Sequence, residues 1–276
     1  KSLTIFLLLF SINYSNSQVP YIVWQRAMGG NMDDAAYCII KSLDNEIAII
    51  GSTRSNVQSP DIPNQHATGL NSPDFWFLKL ANDGSVLYSH CYGGGYDEDG
   101  YSITQTRNGK FLLFGDANSN DQDVQGLHGA GTQVGIRDFW LVQLDTMYNI
   151  EWQHCYGTTE EDNGLSIKPT RDDGFVLLGM IAGFDGDVTN FHGSFDLWAV
   201  KVDSVGNIQW QTALGGYMFD EPRSLMVTQD GGSLISGIRS TIGGNITCTD
   251  AQKEIWLVKL DSLGNIVWDR CYGGSG

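Results

Sequence analysis

One seven-residue unit recurs four times in this chain, as Asp74-Phe-Trp-Phe-Leu-Lys-Leu80, Asp138-Phe-Trp-Leu-Val-Gln-Leu144, Asp196-Leu-Trp-Ala-Val-Lys-Val202 and Glu254-Ile-Trp-Leu-Val-Lys-Leu260. Its tryptophans, Trp76, Trp140, Trp198 and Trp256, are spaced 64, 58 and 58 residues apart. A second aromatic, at Trp24, Tyr88, Trp152, Trp210 and Trp268, holds the same register, and a glycine stands five residues after each. A further glycine, at Gly51, Gly115, Gly179 and Gly237, follows the aromatic by 27 residues. Repetition at this period means that one structural unit is stacked on copies of itself, so the repeat decides the fold.

Each unit reads as four short strands: one near Tyr101 to Thr106, an apolar one such as Phe175 to Gly179, the tryptophan strand, and one such as Ile208 to Leu214. Turns such as Arg171-Asp-Asp-Gly174 and Asp203-Ser-Val-Gly-Asn207 separate them, and no helical periodicity intervenes. That pattern predicts an all-β chain. Wholly apolar strands such as Phe175-Val-Leu-Leu178 require cover on both faces. A β-propeller of four-stranded blades supplies it, because each sheet packs between two others around an axis. Four units, roughly 29–92, 93–156, 157–214 and 215–272, follow a lone leading strand expected at Tyr21 to Met28. A leading strand usually completes the last blade of a ring. The four complete units would leave it unpaired, which predicts a larger ring, incomplete here.

The residues Trp210 to Gly216 with Asp220, Gln229-Asp-Gly-Gly232, and Asp138-Phe-Trp140 to Asp145 resemble the secreted β-propeller repeats of Bacteroidetes-type bacteria. The resemblance covers essentially all of residues 19–276. It implies an exported protein of the kind that often carries a C-terminal sorting domain for type IX secretion. The expectation is therefore an N-terminal portion of a longer chain.

The first residues agree with export. Lys1, an apolar stretch from Leu3 to Ile12 and small residues before Gln18 have the shape of a signal peptide spanning residues 1–17. No later segment approaches the roughly 18 apolar residues of a membrane helix. With 32 acidic residues against 16 Lys and Arg, nucleic acid is an unsuitable partner, since phosphate binding runs on basic side chains.

The turns between first and second and between third and fourth strands share one face of a propeller and are tight. The other face carries the long loops 116–137, 180–195 and 238–253 and the acidic blade-to-blade connections, so ligands are expected there. Residues that recur are architectural, among them the eight tryptophans Trp24, Trp76, Trp140, Trp152, Trp198, Trp210, Trp256 and Trp268. Recognition falls to aromatics peculiar to one repeat: Tyr96, Phe184, Phe191, Tyr217 and Phe219.

Asn118, Asn120, Asp121 and Asp123 crowd one long loop, and Asp185 and Asp187 occupy the matching part of the next. Oxygen ligands of this type suit calcium. An EF-hand from Asp116 would need Gly where Asp121 stands and Glu where Leu127 stands, so turn formation by Asx residues is the favoured alternative. The recurring acids Asp34, Glu98, Asp162 and Asp220 read as caps of backbone N–H groups. His66, His128 and His192, each five residues after an acid, read as braces of equivalent loops, with Asp250 at the aligned place in the fourth. Cys91, Cys155 and Cys271 share one repeat position, which argues for small buried residues and against a disulfide framework.

There is no Gly-x-Ser-x-Gly elbow, His-Glu-x-x-His or Cys-x-x-Cys. The expected function is an exported, non-catalytic propeller binding a protein or glycan at the cell surface. The alternative is an extracytoplasmic carbohydrate-active hydrolase or lyase, or its accessory domain. Its carboxylates would come from Asp97, Asp99, Asp162 and Asp220.

Overall fold

The computed structural model describes residues 21–55, 61–66, 72–129, 136–249 and 254–273. Blade 1 comprises β1 (Asp34–Lys41), β2 (Ile47–Thr53), β3 (Asp74–Leu80) and β4 (Val86–Tyr92). Blade 2 comprises β5 (Glu98–Gln105), β6 (Phe111–Ala117), β7 (Asp138–Leu144) and β8 (Ile150–Tyr156). Blade 3 comprises β9 (Asn163–Pro169), β10 (Phe175–Ile181), β11 (Asp196–Val202) and β12 (Ile208–Leu214). Blade 4 comprises β13 (Glu221–Val227), β14 (Ser233–Arg239), β15 (Glu254–Leu260) and β16 (Ile266–Tyr272). Each is an antiparallel sheet with its strands in chain order. First strands of successive blades lie against one another, β1 with β5, β5 with β9 and β9 with β13, so they line the axis and fourth strands form the rim. The architecture is a β-propeller of four-stranded blades.

The recurring residues set the blade geometry. Each tryptophan of the third strand sends its Nε1–H to the side chain 13 residues on: Trp76 to Ser89 (2.9 Å), Trp140 to Gln153 (2.8 Å), Trp198 to Gln211 (2.7 Å) and Trp256 to Asp269 (3.0 Å). The indoles also fill the space between sheets; Phe75 packs on Trp140 and Phe139 on Trp198. The recurring strand glycines answer a bulge where the first strand pairs with the second. A Cβ would stand 1.8 Å from the Ala35 carbonyl oxygen at Gly51, 1.9 Å from that of Asp99 at Gly115, and 2.2 Å from that of Asn163 at Gly179.

Burial follows position in the array. Every residue of β3, β7 and β11 is buried, as a sheet covered on both faces demands. In β15 burial alternates, and Ile255 and Met226 are exposed on the outer face of blade 4. Among the described residues, β13 to β16 make no contact with blade 1 comparable to those between successive blades, so the four blades form an open arc.

The leading segment corrects one expectation: residues 21–28 are not paired in a sheet. A strand needs a neighbouring strand, and none lies beside this segment among the described residues. It nevertheless sits where a fourth strand would. Trp24 donates through Nε1 to the Asn82 carbonyl (2.8 Å), as Trp210 does to Ser262 of the following blade (3.1 Å). The signal-peptide assignment, residues 1–17, lies outside the described residues. Among the described residues there is no helix long and apolar enough to cross a membrane.

Candidate functional site

The blade-to-blade connections on the long-loop face are built on one repeated hydrogen-bond pattern. A carboxylate at the start of each blade accepts from the amide four residues back: Asp34 from Gly30 (2.7 Å), Glu98 from Gly94 (2.7 Å), Asp162 from Thr158 (2.5 Å) and Asp220 from Gly216 (2.6 Å). Its other oxygen reaches the loop after the second strand, to the amides of Ser119, Ala182 and Ser240 in blades 2, 3 and 4 and to the hydroxyls of Thr53 and Ser55 in blade 1. Burial pushes Glu98 up to about 8 and Asp162 up to about 7, although these donors favour the ionised form.

The histidines stand at the blade interfaces. His128 donates its backbone N–H to Asp138 Oδ2 (2.8 Å), and its Nδ1 lies 2.6 Å from the same oxygen. Its Nε2 is 3.6 Å from Asp187 of blade 3. His66 repeats this between Asp74 and Asp123 of blade 2, at 3.5 and 3.6 Å. The carboxylates of Asp74 and Asp138, facing the rings as acceptors, raise both imidazoles above their ordinary value. His192 pairs with Asp196 at 2.9 Å, and Asn245 takes the neighbouring place, accepting from Gly215 N as Asp123 does from Gly93 N and Asp187 from Gly157 N. Blade 4 substitutes a buried Arg239–Glu254 pair (2.6 Å). Asp250 lies outside the described residues.

The oxygen-rich loop residues are engaged in the same framework. Asn118 accepts from Asp97 N (2.9 Å), Asp121 from Gly95 N (2.8 Å), Asn120 from Gly126 N (3.0 Å) and Asp185 from Thr159 N (2.8 Å). Asn118, Asp121 and Asp123 thus brace one connection, that into blade 2, while Asn120 caps its own loop and Asp185 the connection into blade 3. Among the described residues, the group of three potential metal ligands within reach of one another is Cys248, Asp269 and Cys271. Those cysteines form a disulfide, which the repeat alignment did not anticipate. Cys271 shares its position with the free Cys91 and Cys155, and only blade 4 offers a loop cysteine opposite it.

Of the singled-out aromatics, Phe184 is 83% exposed, Tyr217 69%, Tyr96 52% and Phe219 37%. Tyr217 and Phe219 share the connection into blade 4. The Phe219 ring packs 5.2 Å from that of Phe195, and Tyr217 lies over Gly243, where a Cβ would meet its ring at 2.3 Å. Tyr96 and Phe184 stand on the connection into blade 2 and the long loop of blade 3. Phe191 differs from the expectation: it is half-buried against the core between blades 2 and 3, because its loop folds back on the sheet.

A charged group the sequence did not assemble lies on the same face. Arg137 bonds Asp97 (3.0 Å), Asp99 (3.0 Å) and Asp116. Burial pushes the fully buried Asp116 up to about 7 against the pull of Arg137. Arg137, Asp99 and Asp116 do not recur at the equivalent places of the other blades, whereas Asp97 matches Asp33 of blade 1, a pattern present in the sequence.

The fold and these loops define a class, a β-propeller whose long-loop face is braced by repeated carboxylate caps. No family model matches the chain, and no curated protein matches it. Solved structures similar to it include a protein of unknown function from Dyadobacter fermentans, 11% identical, with a TM-score of 0.49 over 93% of this chain and 68% of that one. A B. megaterium levansucrase variant is 12% identical, with a TM-score of 0.43 over 86% of this chain and 68% of its own.

Proposed function

We propose that the chain is an exported, non-catalytic β-propeller that binds an extracellular protein or glycan through its long-loop face. The observation that carries this reading is the exposure of Tyr96, Phe184, Tyr217 and Phe219 on a scaffold whose recurring loop carboxylates are engaged in capping. Exposed aromatics held by rigid loops are the groups that anchor partners and sugar rings. Delivery by a signal peptide at residues 1–17, display at the cell surface and type IX sorting belong to the same proposal. So does division of the chain into a leader and repeats from residue 18, with further blades covering the exposed outer face of blade 4. The test is retention of the full chain on a glycan array and on immobilised surface-protein extracts. Binding that is lost in Phe184→Ser and Tyr217→Ser supports the reading. Binding that survives both, or no retention at all, overturns it.

A second reading, a carbohydrate-active hydrolase or lyase, draws support from the convergence of Asp97, Asp99 and Asp116 on Arg137, since paired carboxyls in unlike environments can divide acid and base roles. Asp162 and Asp220 are fully buried in their caps, which leaves Asp97 as the carboxylate most open to a substrate. Turnover of polysaccharides by the full chain that falls in Asp97→Asn would favour it; no turnover would remove it.

A further inference from the structure

A cavity of about 810 Å³ opens on the opposite face, between blades 2 and 3 and reaching Val227 to Gln229 of blade 4, among the tight turns. Its position coincides with a break in the repeat. In blades 1, 3 and 4 the lysine of the third strand ties down an aspartate in the first turn of its own blade: Lys79 to Asp44, Lys201 to Asp172 (3.0 Å) and Lys259 to Asp230 (3.0 Å). In blade 2 the same two places hold Gln143 and Asn108, and both line the cavity. The turns themselves match. Thr106 Oγ1 donates to Asn108 as Thr170 does to Asp172 and Thr228 to Asp230, all at 2.5 Å. The ionic staple has been replaced while the threonine hydroxyl bond within the turn was kept.

Other groups in the cavity are also peculiar to this blade. Glu151 stands where the other blades carry Leu87, Gln209 and Val267, and Lys110 where they carry Glu46, Gly174 and Gly232. Lys110 Nζ lies 2.6 Å from Glu151 Oε1, and Gln143 donates to Glu151 Oε2 at 2.7 Å. Trp152 supplies the second observation. The indole N–H of Trp24 and of Trp210 donates to the carbonyl of the second residue in the next blade's outer turn. For Trp152 that residue is Ser204, also on the cavity wall, yet the Trp152 Nε1–H is buried without a hydrogen-bond partner. The Trp152 indole therefore lacks the anchor that fixes its counterparts, and a buried donor left unpaired is costly.

We infer that this cavity is a saccharide-binding site, with Trp152, Gln143, Asn108, Lys110 and Glu151 as its recognition residues. The volume falls within the range of small-molecule sites. The lining offers amide, ammonium, carboxylate and indole groups on one apolar floor that includes Phe175. A sugar's neighbouring hydroxyls each donate and accept, and this mixture of donors and acceptors suits them better than it suits a purely anionic or purely apolar ligand. The site stands apart from the long-loop face and does not depend on binding there.

The test is titration of the full chain with a panel of neutral-hexose and hexuronate oligosaccharides, read by calorimetry and tryptophan fluorescence. Wild type is expected to bind at least one member. The Asn108→Asp/Gln143→Lys double variant rebuilds the staple of the other three blades; it should keep the wild-type melting temperature and bind about tenfold more weakly or less. Trp152→Phe and Glu151→Gln, which leave the staple positions alone, should each weaken binding. Absence of binding to every member overturns the inference. So does unchanged affinity in all of the cavity variants.

Discussion

Substituting Gly115 by Ala tests why a glycine recurs in every second strand. The added Cβ would lie 1.9 Å from the Asp99 carbonyl oxygen and 2.9 Å from the Asp99 carbonyl carbon, both backbone atoms of the paired strand. Ordinary contact begins near 3.4 Å, so β5 and β6 must part by more than an ångström at the bulge. The other side is closed as well. A Cβ at Gly164 of blade 3 would meet the Gly115 carbonyl oxygen at 2.2 Å, so β6 cannot simply retreat. Overpacking a sheet fixed on both sides costs about 3 kcal/mol, at the upper end of such substitutions. For a domain of this size that corresponds to a melting temperature lower by about 6 to 12 °C. Gly109→Ala is the control: its φ is +88° but nothing stands within 4 Å of the new Cβ. It bears only the left-handed backbone penalty of about 1 kcal/mol. Gly237→Ala, with the nearest carbonyl oxygen at 2.7 Å, should fall between the two. Calorimetric melting of the three variants checks the order. A Gly115→Ala protein melting with wild type, or a Gly109→Ala protein that loses as much, would refute the close-approach argument.

Three further outcomes follow from the same geometry. Glu98, Asp162 and Asp116 titrate at about 8, 7 and 7 in the folded chain, above their unfolded values, and His66 and His128 are raised as well. Groups with raised folded values contribute stability that is lost as pH rises through those values, so melting temperature should fall between pH 5 and pH 8.5; a rise over that window would contradict the burial of these acids. Cys248→Ser opens a loop closed over a separation of 23 residues and should cost about 3 kcal/mol, with no added loss when reductant is present. Melting with and without dithiothreitol reads this, and a reductant-insensitive wild type would count against the disulfide. His128→Ala removes the imidazole between Asp138 and Asp187, at 2.6 and 3.6 Å, and leaves the buried carboxylate with fewer donors. It should destabilise by about 1 to 3 kcal/mol, measured by urea unfolding, whereas His154→Ala on the exposed rim should cost less.

What the sequence revealed and what it hid have physical reasons. The blades were legible because each repeats one set of contacts: a tryptophan aimed at the fourth strand, a glycine under a bulge, an acid capping a connection. Conditions that recur four times leave recurring residues. The leading segment was misread because Trp24 satisfies the tryptophan contact without the strand pairing that accompanies it elsewhere. The disulfide was hidden because Cys271 occupies a place that Cys91 and Cys155 fill as free thiols, so its pairing depends on a loop cysteine found only in blade 4. Phe191 looks like Phe184 in sequence, yet whether a loop aromatic turns out or folds back depends on the path of a loop with no repeated signature. The turn-face cavity was half-legible. Gln143 in place of a recurring lysine was visible, but its meaning required seeing Asn108, Glu151 and Trp152 around one space.

The central claim is that recurring residues hold the array together while residues peculiar to one blade are free to recognise. Thermal unfolding of two variants tests it most directly. Asp162→Asn leaves one buried cap unable to accept at one of its positions and should lower the melting temperature clearly, in line with the about 1 to 3 kcal/mol lost with a buried hydrogen bond. The Phe184→Ser/Tyr217→Ser double variant, altering two exposed aromatics, should melt with wild type. A double variant that unfolds early while Asp162→Asn melts unchanged would contradict the claim.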